Sequence, residues 1–179
     1  MARPSACDNE AILIAYGSNL TPASFFAGQT PASQAFAGVV KSLQERGLIV
    51  NKISRLWRSQ AWPDPNDPPY VNAIIAIETE LQPPDLLALL HDLERESGRV
   101  RTDRPNLPRA LDLDLIAYGR VILNDFNGLM LPHPRAADRA FVMGPLSDIL
   151  PHWTHPVLNR TASDLFAEAT IGRDAHPLD

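Results

Sequence analysis

The sequence contains a single cysteine, Cys7, among its 179 residues. One cysteine excludes an internal disulfide framework and a cysteine-rich zinc site, and its place near the N-terminus favours a tail residue over a nucleophile. No apolar run reaches the roughly 18 residues of a membrane-spanning helix, and the first ten residues lack the apolar core of a signal peptide. We therefore expect a cytoplasmic protein with no membrane partner.

Basic residues are too few to give the protein an overall positive charge. Sixteen lysines and arginines stand against 21 aspartates and glutamates, for a formal net charge of −5. This balance argues against nucleic acid as a partner, and it means that any anion is bound by a local cluster. We therefore expect a small-molecule ligand.

Two common nucleotide-binding motifs are also missing. The sequence has no G-x-x-x-x-G-K-[ST], and YGSN at 16–19 is not G-x-G-x-x-G. These absences exclude a P-loop and a Rossmann or kinase glycine loop. If the protein binds a nucleotide, side chains and metal ions have to hold its phosphates.

Hydrophobic periodicity predicts one domain over residues 11–179, after a flexible polar tail over 1–10. Strands are predicted at 11–16, 109–119, and in a hairpin-like pair formed by 48–59 and 70–80 around a loop rich in proline and aspartate. Helices are predicted at 34–46, 84–97, 136–150 and 162–169, and a loop at 20–33. This order predicts an α+β fold with one mixed or antiparallel sheet.

The predicted strand RALDLDLIAYG at 109–119 carries two aspartates between leucines. Because side chains alternate along a strand, Asp112 and Asp114 point to one face, about 6.6 Å apart, while Leu113 and Leu115 point to the other. Two adjacent carboxylates are unfavourable without a compensating cation, so we expect a positive partner there. The alternative is a solvated strand face that carries two acids.

An arginine-rich stretch precedes the aspartates. GRVRTDRPNLPR at 98–109 holds Arg99, Arg101, Arg104 and Arg109, and guanidinium groups suit phosphate because they donate two parallel hydrogen bonds. A basic loop paired with neighbouring acids is the alternative. Beside two carboxylates that can hold Mg²⁺, the loop indicates a site for a magnesium polyphosphate.

Histidines give a mixed signal. His133 lies between two prolines in LPHPR, followed by Arg135 and Arg139, and could either meet a phosphate or base or simply form a turn before a helix. We interpret His152 and His155 as part of a surface turn, because no third ligand accompanies their H-x-x-H spacing. His91 lies on the predicted helix at 84–97, where simple exposure to solvent is one interpretation of it.

Taken together, these motifs resemble the 6-hydroxymethyl-7,8-dihydropterin pyrophosphokinase family. The ordered matches run from about residue 11 to 156, and PR-x-LDLDL followed by LPHPR is the most specific pair. The matching segments are GSN at 17–19, S-x-x-W-R-S at 54–59, YVNA at 70–73, LE…GRVR at 93–101, PR-x-LDLDL at 108–115, LPHPR…RAFV at 131–142 and PL-x-x-I-x-P at 145–151.

The resemblance implies a ferredoxin-like αβα sandwich that transfers the β,γ-diphosphate of ATP to a reduced pterin and releases AMP. It implies two Mg²⁺ ions on Asp112 and Asp114, with Glu94 supporting the arginine loop. Arg99 and Arg109 would act at the transferring phosphates and the pterin hydroxymethyl group. The implied ATP contacts are Arg101, His133, Arg139 and Leu115, and the implied pterin contacts are Tyr70, Asn72, Phe141 and Gly17.

The chain also departs from the family pattern. Ser59, Gln60 and Ala61 stand where a Thr-Pro-Pro type turn is common, and Asn106 stands where a tryptophan often closes over the substrate. Gly128 and Met130 replace a common Arg and Thr. Trp62 is a candidate substitute for the aromatic ring that the family tryptophan would stack on the substrate. A changed lid would alter KM or product release and leave the chemistry intact.

Two other functions stay open at this stage. One is a relative that binds nucleotide or pterin without turnover, and the other is a different magnesium-dependent phosphotransfer or hydrolytic enzyme. The sequence favours a monomer, with a dimer as the alternative.

Overall fold

The computed structural model describes residues 6–19, 32–61, 66–97, 111–124 and 128–178. The helices in these ranges are α1 (Ala6–Asn9), α2 (Ala32–Glu45), α3 (Pro83–Glu96), α4 (Ala140–Ile149) and α5 (Ala162–Glu168). The strands are β1 (Ile12–Ser18), β2 (Ile49–Ile53), β3 (Trp57–Ser59), β4 (Tyr70–Glu78), β5 (Asp112–Tyr118), β6 (Leu123–Asn124), β7 (Met130–Leu131) and β8 (His176–Pro177). None of these helices is long and apolar enough to cross a membrane.

The main sheet is built around β1 and β4, the two most apolar strands. Its order is β5-β1-β4-β3-β8, and β2 pairs with the part of β4 that β3 leaves open. All strand pairs in the described ranges are antiparallel, and β6 and β7 form a separate two-stranded sheet. Isoleucine and valine favour these pleated, half-buried positions.

Two hydrophobic layers cover opposite faces of the main sheet. The first contains alternate residues of β1, such as Ile12 and Ile14, together with the inner sides of α2 and α3. The second contains the intervening residues, such as Leu13 and Ile74, together with α4, α5 and the fully buried Trp153. The α+β sandwich with a central antiparallel sheet is thereby confirmed.

Most helix positions agree with the sequence pattern. Predicted helices at 34–46, 84–97 and 162–169 correspond to α2, α3 and α5. Gly47 follows α2 with a φ of 83°, which is the left-handed conformation that ends helices at little cost in glycine.

The helix predicted over 136–150 begins later than its pattern indicates. Residues 134–138 form turns, and Arg139, with φ −108° and ψ 109°, is the N-cap of α4. The backbone N–H of His133 donates to the Ile116 carbonyl at 2.8 Å, which ties this turn to β5 before the helix can start. The helical start at 136 was therefore wrong, since a tertiary contact overrides the local pattern.

Other differences concern short elements. The predicted strand over 48–59 is split into β2 and β3, and the tail predicted over 1–10 contains α1, whose last residue Asn9 accepts the Thr154 N–H through Oδ1. The sequence analysis did not predict β6, β7 or β8. Most of the loop predicted at 20–33 and the hairpin tip at 62–65 lie outside the described residues, but Ala32 already begins α2.

Candidate active site

One row of paired residues crosses the sheet at its polar end. Gly17 of β1 is paired with Asn72 of β4 on one side and with Asp112 of β5 on the other. Directly paired residues project to the same face, so the amide and the carboxylate flank a position that has no side chain. The next row toward the core pairs Ala15 with Ile74 and Asp114.

The size of the side chains on β1 decreases toward this end, from Leu13 through Ala15 to Gly17. A Cβ placed on Gly17 would lie 3.8 Å from Asp112 Cβ, 4.0 Å from Asn72 Oδ1 and 4.0 Å from Tyr70 Cδ1. These are ordinary van der Waals distances, so a larger side chain would occupy the space between the amide and the carboxylate. The glycine therefore leaves a cavity above the sheet.

The two aspartates of β5 line this cavity, as the alternation predicts. Leu113 and Leu115 are 1% and 3% exposed and pack in the first hydrophobic layer, whereas Asp112 and Asp114 are half-buried on the opposite face. Buried Glu94 of α3 accepts the Leu113 N–H through Oε1 at 2.8 Å. This bond fixes the start of β5 and hence the direction of both aspartates.

A buried amide forms a second wall. The Asn72 Nδ2 donates to Ser59 Oγ at 3.0 Å, and both residues are buried. With its NH₂ group engaged by the neighbouring strand, the amide keeps Oδ1 on the side of Gly17. Such a fixed acceptor suits recognition of a ring that carries hydrogen-bond donors on its edge.

The third wall is basic and aromatic and lies at the start of α4. Burial is the main cause that lowers the pKa of Arg139, with Arg135 adding to it and Asp114 and Asp112 opposing it. An arginine stays cationic even so. The guanidinium lies 5.6 Å from the centre of the Phe141 ring, in cation–π range. A cation and an aromatic face are therefore presented together.

His133 lies beside this wall. Burial lowers its pKa, and Arg139 and Arg135 lower it further against the opposing charge of Asp114. Its Nδ1 accepts the Arg135 N–H at 3.3 Å, so the neutral ring has Nε2 as its donor. A neutral donor among arginines can hydrogen-bond to an anion without adding further like-charge repulsion.

The cavity has a volume of about 390 Å³. It brings together seven of the residues that the sequence predicted for the site: Gly17, Tyr70, Asn72, Asp112, Asp114, Arg139 and Phe141. Leu115 does not line it, because its side chain packs in the core. Arg99, Arg101, Arg109, Trp62 and Asn106 lie outside the described residues.

The cavity also contains residues that the sequence analysis did not assign to it. His91 and Arg135 line it, and so do Ser59 and Gln60. His91 lies three residues before Glu94 on α3, so both side chains share one face of the helix. That spacing is the signal that could have identified His91, which is half-buried in the cavity wall and not simply exposed.

His152 and His155 belong to the turn after α4. His155 is buried, and its Nδ1 accepts the N–H groups of Val157 and Leu158 at 3.2 and 3.1 Å. Burial is the main cause that lowers its pKa, and Arg120 adds to it. The turn is confirmed and His152 is exposed in it, but His155 is buried and has a structural role, so the surface position expected for both was wrong for His155.

The donor set of the cavity fits a hard cation. No group of three or more His, Cys, Asp or Glu side chains that could hold a metal occurs in the described part of the chain. Asp112 and Asp114 offer two carboxylates on one strand face, and Mg²⁺ is commonly held by one or two carboxylates together with water and substrate phosphates. The two aspartates therefore fit Mg²⁺ that arrives with a polyphosphate.

Sequence comparison identifies relatives of this chain. The model of the family 7,8-dihydro-6-hydroxymethylpterin-pyrophosphokinase (HPPK) matches residues 13–151. A Pseudomonas aeruginosa protein named 2-amino-4-hydroxy-6-hydroxymethyldihydropteridine pyrophosphokinase is 37% identical over 140 residues, covering 78% of this chain and 80% of that protein. The Folic acid synthesis protein fol1 of Pneumocystis carinii is 34% identical over 174 residues.

This match to fol1 covers 97% of the present chain but 22% of fol1, so the chain spans about a fifth of that relative. In structure, the chain resembles Plasmodium falciparum HPPK-DHPS, crystallised with SDX-DHP, with a TM-score of 0.62. That similarity covers 88% of this chain and 43% of the other at 12% identity, and it supports the fold alone.

Proposed function

The chain belongs to the 7,8-dihydro-6-hydroxymethylpterin-pyrophosphokinase family, and we propose that it transfers the β,γ-diphosphate of ATP to 6-hydroxymethyl-7,8-dihydropterin and releases AMP. The observation that carries the proposal is one cavity in which two carboxylates, a fixed amide and an aromatic ring converge. The carboxylates suit a magnesium polyphosphate, and the amide and the aromatic ring suit a flat heterocycle. Folate biosynthesis is the pathway that such a reaction serves.

In this proposal, Tyr70, Asn72 and Phe141 hold the pterin, and Gly17 leaves room for it. The Asn72 Oδ1 accepts a hydrogen bond from the ring edge, and the Phe141 ring stacks on the ring face. This arrangement orients the hydroxymethyl group toward the β5 side of the cavity. Such fixed positioning supplies a large part of the rate in phosphoryl transfer.

ATP occupies the side of the cavity with Asp112, Asp114 and Arg139. The two aspartates hold two Mg²⁺ ions, which neutralise charge on the β- and γ-phosphate oxygens when bound. Arg139 and His133 hold the nucleotide, together with Arg101 and the backbone at Leu115, and Arg99 and Arg109 stabilise the charge of the transferring group.

The reaction balances without a further reactant. The pterin hydroxymethyl oxygen forms a bond to the β-phosphorus, and the bond from that phosphorus to the oxygen bridging to the α-phosphorus breaks. The bridging oxygen leaves with AMP, and the hydroxyl proton passes to solvent. The chain's contribution is orientation and electrostatic stabilisation.

The test is AMP release on mixing the protein with ATP, Mg²⁺ and the reduced pterin. We expect AMP release that requires both the pterin and Mg²⁺, and a loss of about a thousandfold in Asp112→Asn, because metal stabilisation of this kind is worth several kcal/mol. Asp85→Asn, at an exposed carboxylate in the first turn of α3, is the matched control and should keep wild-type turnover.

Two results would contradict the proposal. Orthophosphate release that ignores the pterin would indicate a different phosphotransfer or hydrolytic enzyme. Pterin and ATP binding without any AMP would indicate a binding protein. Wild-type turnover in Asp112→Asn would refute the metal role of that residue.

A further inference from the structure

The segment that follows α5 runs along the wall of the cavity that holds Phe141. Residues 170–178, which we name the C-terminal strap, include the edge strand β8 and contact the start of α4 and the neighbouring strand β3. None of the strap residues lines the cavity described above. The strap contacts residues that do line it, among them Arg139, Phe141 and Gln60.

The first contact holds the residues that lead into α4. The Ile171 N–H donates to the Asp138 carbonyl at 3.0 Å, and the Ala140 N–H donates to the Ile171 carbonyl at 2.8 Å. Thr170 adds two hydrogen bonds to the Asp138 carboxylate, from its N–H and its Oγ1, each 2.8 Å long. Arg139 lies between these tethers, so its extended backbone is fixed by the strap.

The second contact is between Gly172 and the ring of Phe141. Gly172 has a φ of 68°, and a Cβ added to it would lie 2.4 Å from Phe141 Cδ1 and 3.1 Å from Cε1. Real Cβ atoms do not approach a ring so closely, so with a Cβ at this position the rigid ring would have to move as a whole. The position of the Phe141 ring therefore depends on the absence of a side chain at residue 172.

The third contact holds the turn after β3. Asp174 accepts the Gln60 N–H through Oδ2 at 2.5 Å, and β8 pairs with Trp57 and Arg58. The Leu178 N–H donates to the Leu56 carbonyl at 2.7 Å. The strap is thus bonded to β3 on both sides of Trp57, and Gln60 is the residue through which this pairing reaches the cavity.

We infer that the C-terminal strap is the positioning device of the pterin subsite, with Gly172 and Asp174 as its two positioning residues. The inference rests on the proposed function, which assigns Phe141 to the pterin. The strap fixes the stacking ring from behind and the Gln60 turn from the side, so the slot exists before the pterin enters. A slot that is already formed spares the substrate the cost of ordering it.

Gly172→Ala is the sharpest test, because the added methyl group displaces the Phe141 ring. We expect the KM for the pterin to rise on the order of tenfold, while the KM for ATP stays within about twofold. Gly47→Ala is the matched control, since Gly47 also has a positive φ and a Cβ there meets nothing within 4 Å. Both variants carry the same kind of backbone strain, so their difference isolates the contact with Phe141.

Asp174 gives an independent test at an exposed residue, which remains usable even if Gly172→Ala does not fold. Asp174→Ala removes the acceptor of the Gln60 N–H and should raise the KM for the pterin about threefold at an unchanged kcat. Asp174→Asn keeps a side-chain oxygen that can accept this bond and should restore the wild-type KM. A general loss of stability would not distinguish these two variants.

The outcomes separate the inference from the proposed function. If the wild-type chain releases AMP but Gly172→Ala matches Gly47→Ala and Asp174→Ala matches the wild type, the strap has no positioning role and the proposed function stands. Equal increases in the KM for the pterin and for ATP would also overturn the inference. If the wild-type chain neither binds the pterin nor releases AMP, the proposed function fails and the strap assignment fails with it.

Discussion

The two faces of the main sheet differ in how they use the same strands. On the α2 and α3 face, Ile14 and Tyr16 of β1 and Leu113 of β5 are large and buried, so the apolar core on this face continues into the end of the sheet that carries the cavity. On the α4 and α5 face, the apolar residues stop partway, and the strands end in Gly17, Asn72 and Asp112. One face is therefore filled by large apolar side chains where the other gives up part of its core to form a cavity.

The comparison predicts that substitutions on the two faces affect different quantities. On the α2 and α3 face, a change should alter the free energy of unfolding and leave the activity of the folded molecules intact. On the α4 and α5 face, a change near the cavity should lower the activity and leave the free energy of unfolding nearly unchanged. Three further experiments, ordered by the size of the expected effect, test this division.

Leu43→Ala in α2 should give the largest effect. Leu43 is fully buried in the first layer, so the truncation should cost about 3 kcal/mol in the free energy of unfolding through lost burial and a residual cavity. Urea unfolding measures this cost, and kcat/KM should stay within about twofold at a temperature where the variant is folded. Leu158→Ala, at a leucine that is 49% exposed, is the matched control. A large loss of activity in folded Leu43→Ala would break the comparison.

Gly17→Val should lower the activity and leave the stability nearly unchanged. Its Cβ fits at ordinary distances from Asp112 and Asn72, but the two methyl groups beyond it occupy the part of the cavity between these side chains. We expect kcat/KM to fall by about tenfold or more, with a change in Tm of a few degrees at most, and a smaller fall in Gly17→Ala. Gly38→Val, at a helix position with nothing within 4 Å, is the control for activity. If Gly17→Val instead lowers the Tm strongly while the kcat/KM of the folded molecules stays at the wild-type value, Gly17 is required for packing and not for the cavity.

His155→Asn should produce a smaller, pH-dependent effect on the α4 and α5 face. Because burial lowers the pKa of His155 in the folded chain, the unfolded chain takes up this proton first as the pH falls. The contribution of His155 to the free energy of unfolding is therefore complete above about pH 6.5, the ordinary pKa of histidine. This contribution declines as the pH falls from there toward the lower pKa of His155 in the folded chain. His155 contributes a fraction of the ~1.4 kcal/mol per pH unit that one full proton gives.

In His155→Asn this part of the decline should disappear, because the asparagine Oδ1 can still accept the N–H groups of Val157 and Leu158 but does not titrate. Thermal unfolding between pH 5 and 8 measures the slope. Val157→Ala, at a residue of the same turn that is 57% exposed, leaves His155 in place and is the control. Parallel slopes in all three proteins would contradict the role of His155.

The sequence predicted the parts of the site that depend on local geometry. The alternation of β5 was enough to assign Asp112 and Asp114 to one face and Leu113 to the other, because the two-residue period is a property of any strand. Glycine after α2 marked a helix end for a similarly local reason. The resemblance then identified Asn72 and Phe141, which no periodicity singles out.

The parts that the sequence did not predict are set by contacts between distant segments. The late start of α4 depends on bonds from Ile171 and Ile116, and neither is visible in the pattern around residue 136. The strand β8 consists of two residues, His176 and Pro177, and has no periodicity to detect. The inward direction of His91 follows from how α3 docks on β5, so only the packed molecule reveals it.

The row of Asn72, Gly17 and Asp112 also fixes a distance across the sheet. Neighbouring strands lie about 4.8 Å apart, so the backbones that carry the amide and the first aspartate are held roughly 9.6 Å apart by two ladders of hydrogen bonds. Loop movements can open or cover the cavity, but they cannot change this spacing. Under the proposed function, this spacing separates the amide assigned to the pterin ring from the carboxylate assigned to the diphosphate, so we expect substrates with a longer or shorter arm between ring and hydroxyl to be poor acceptors.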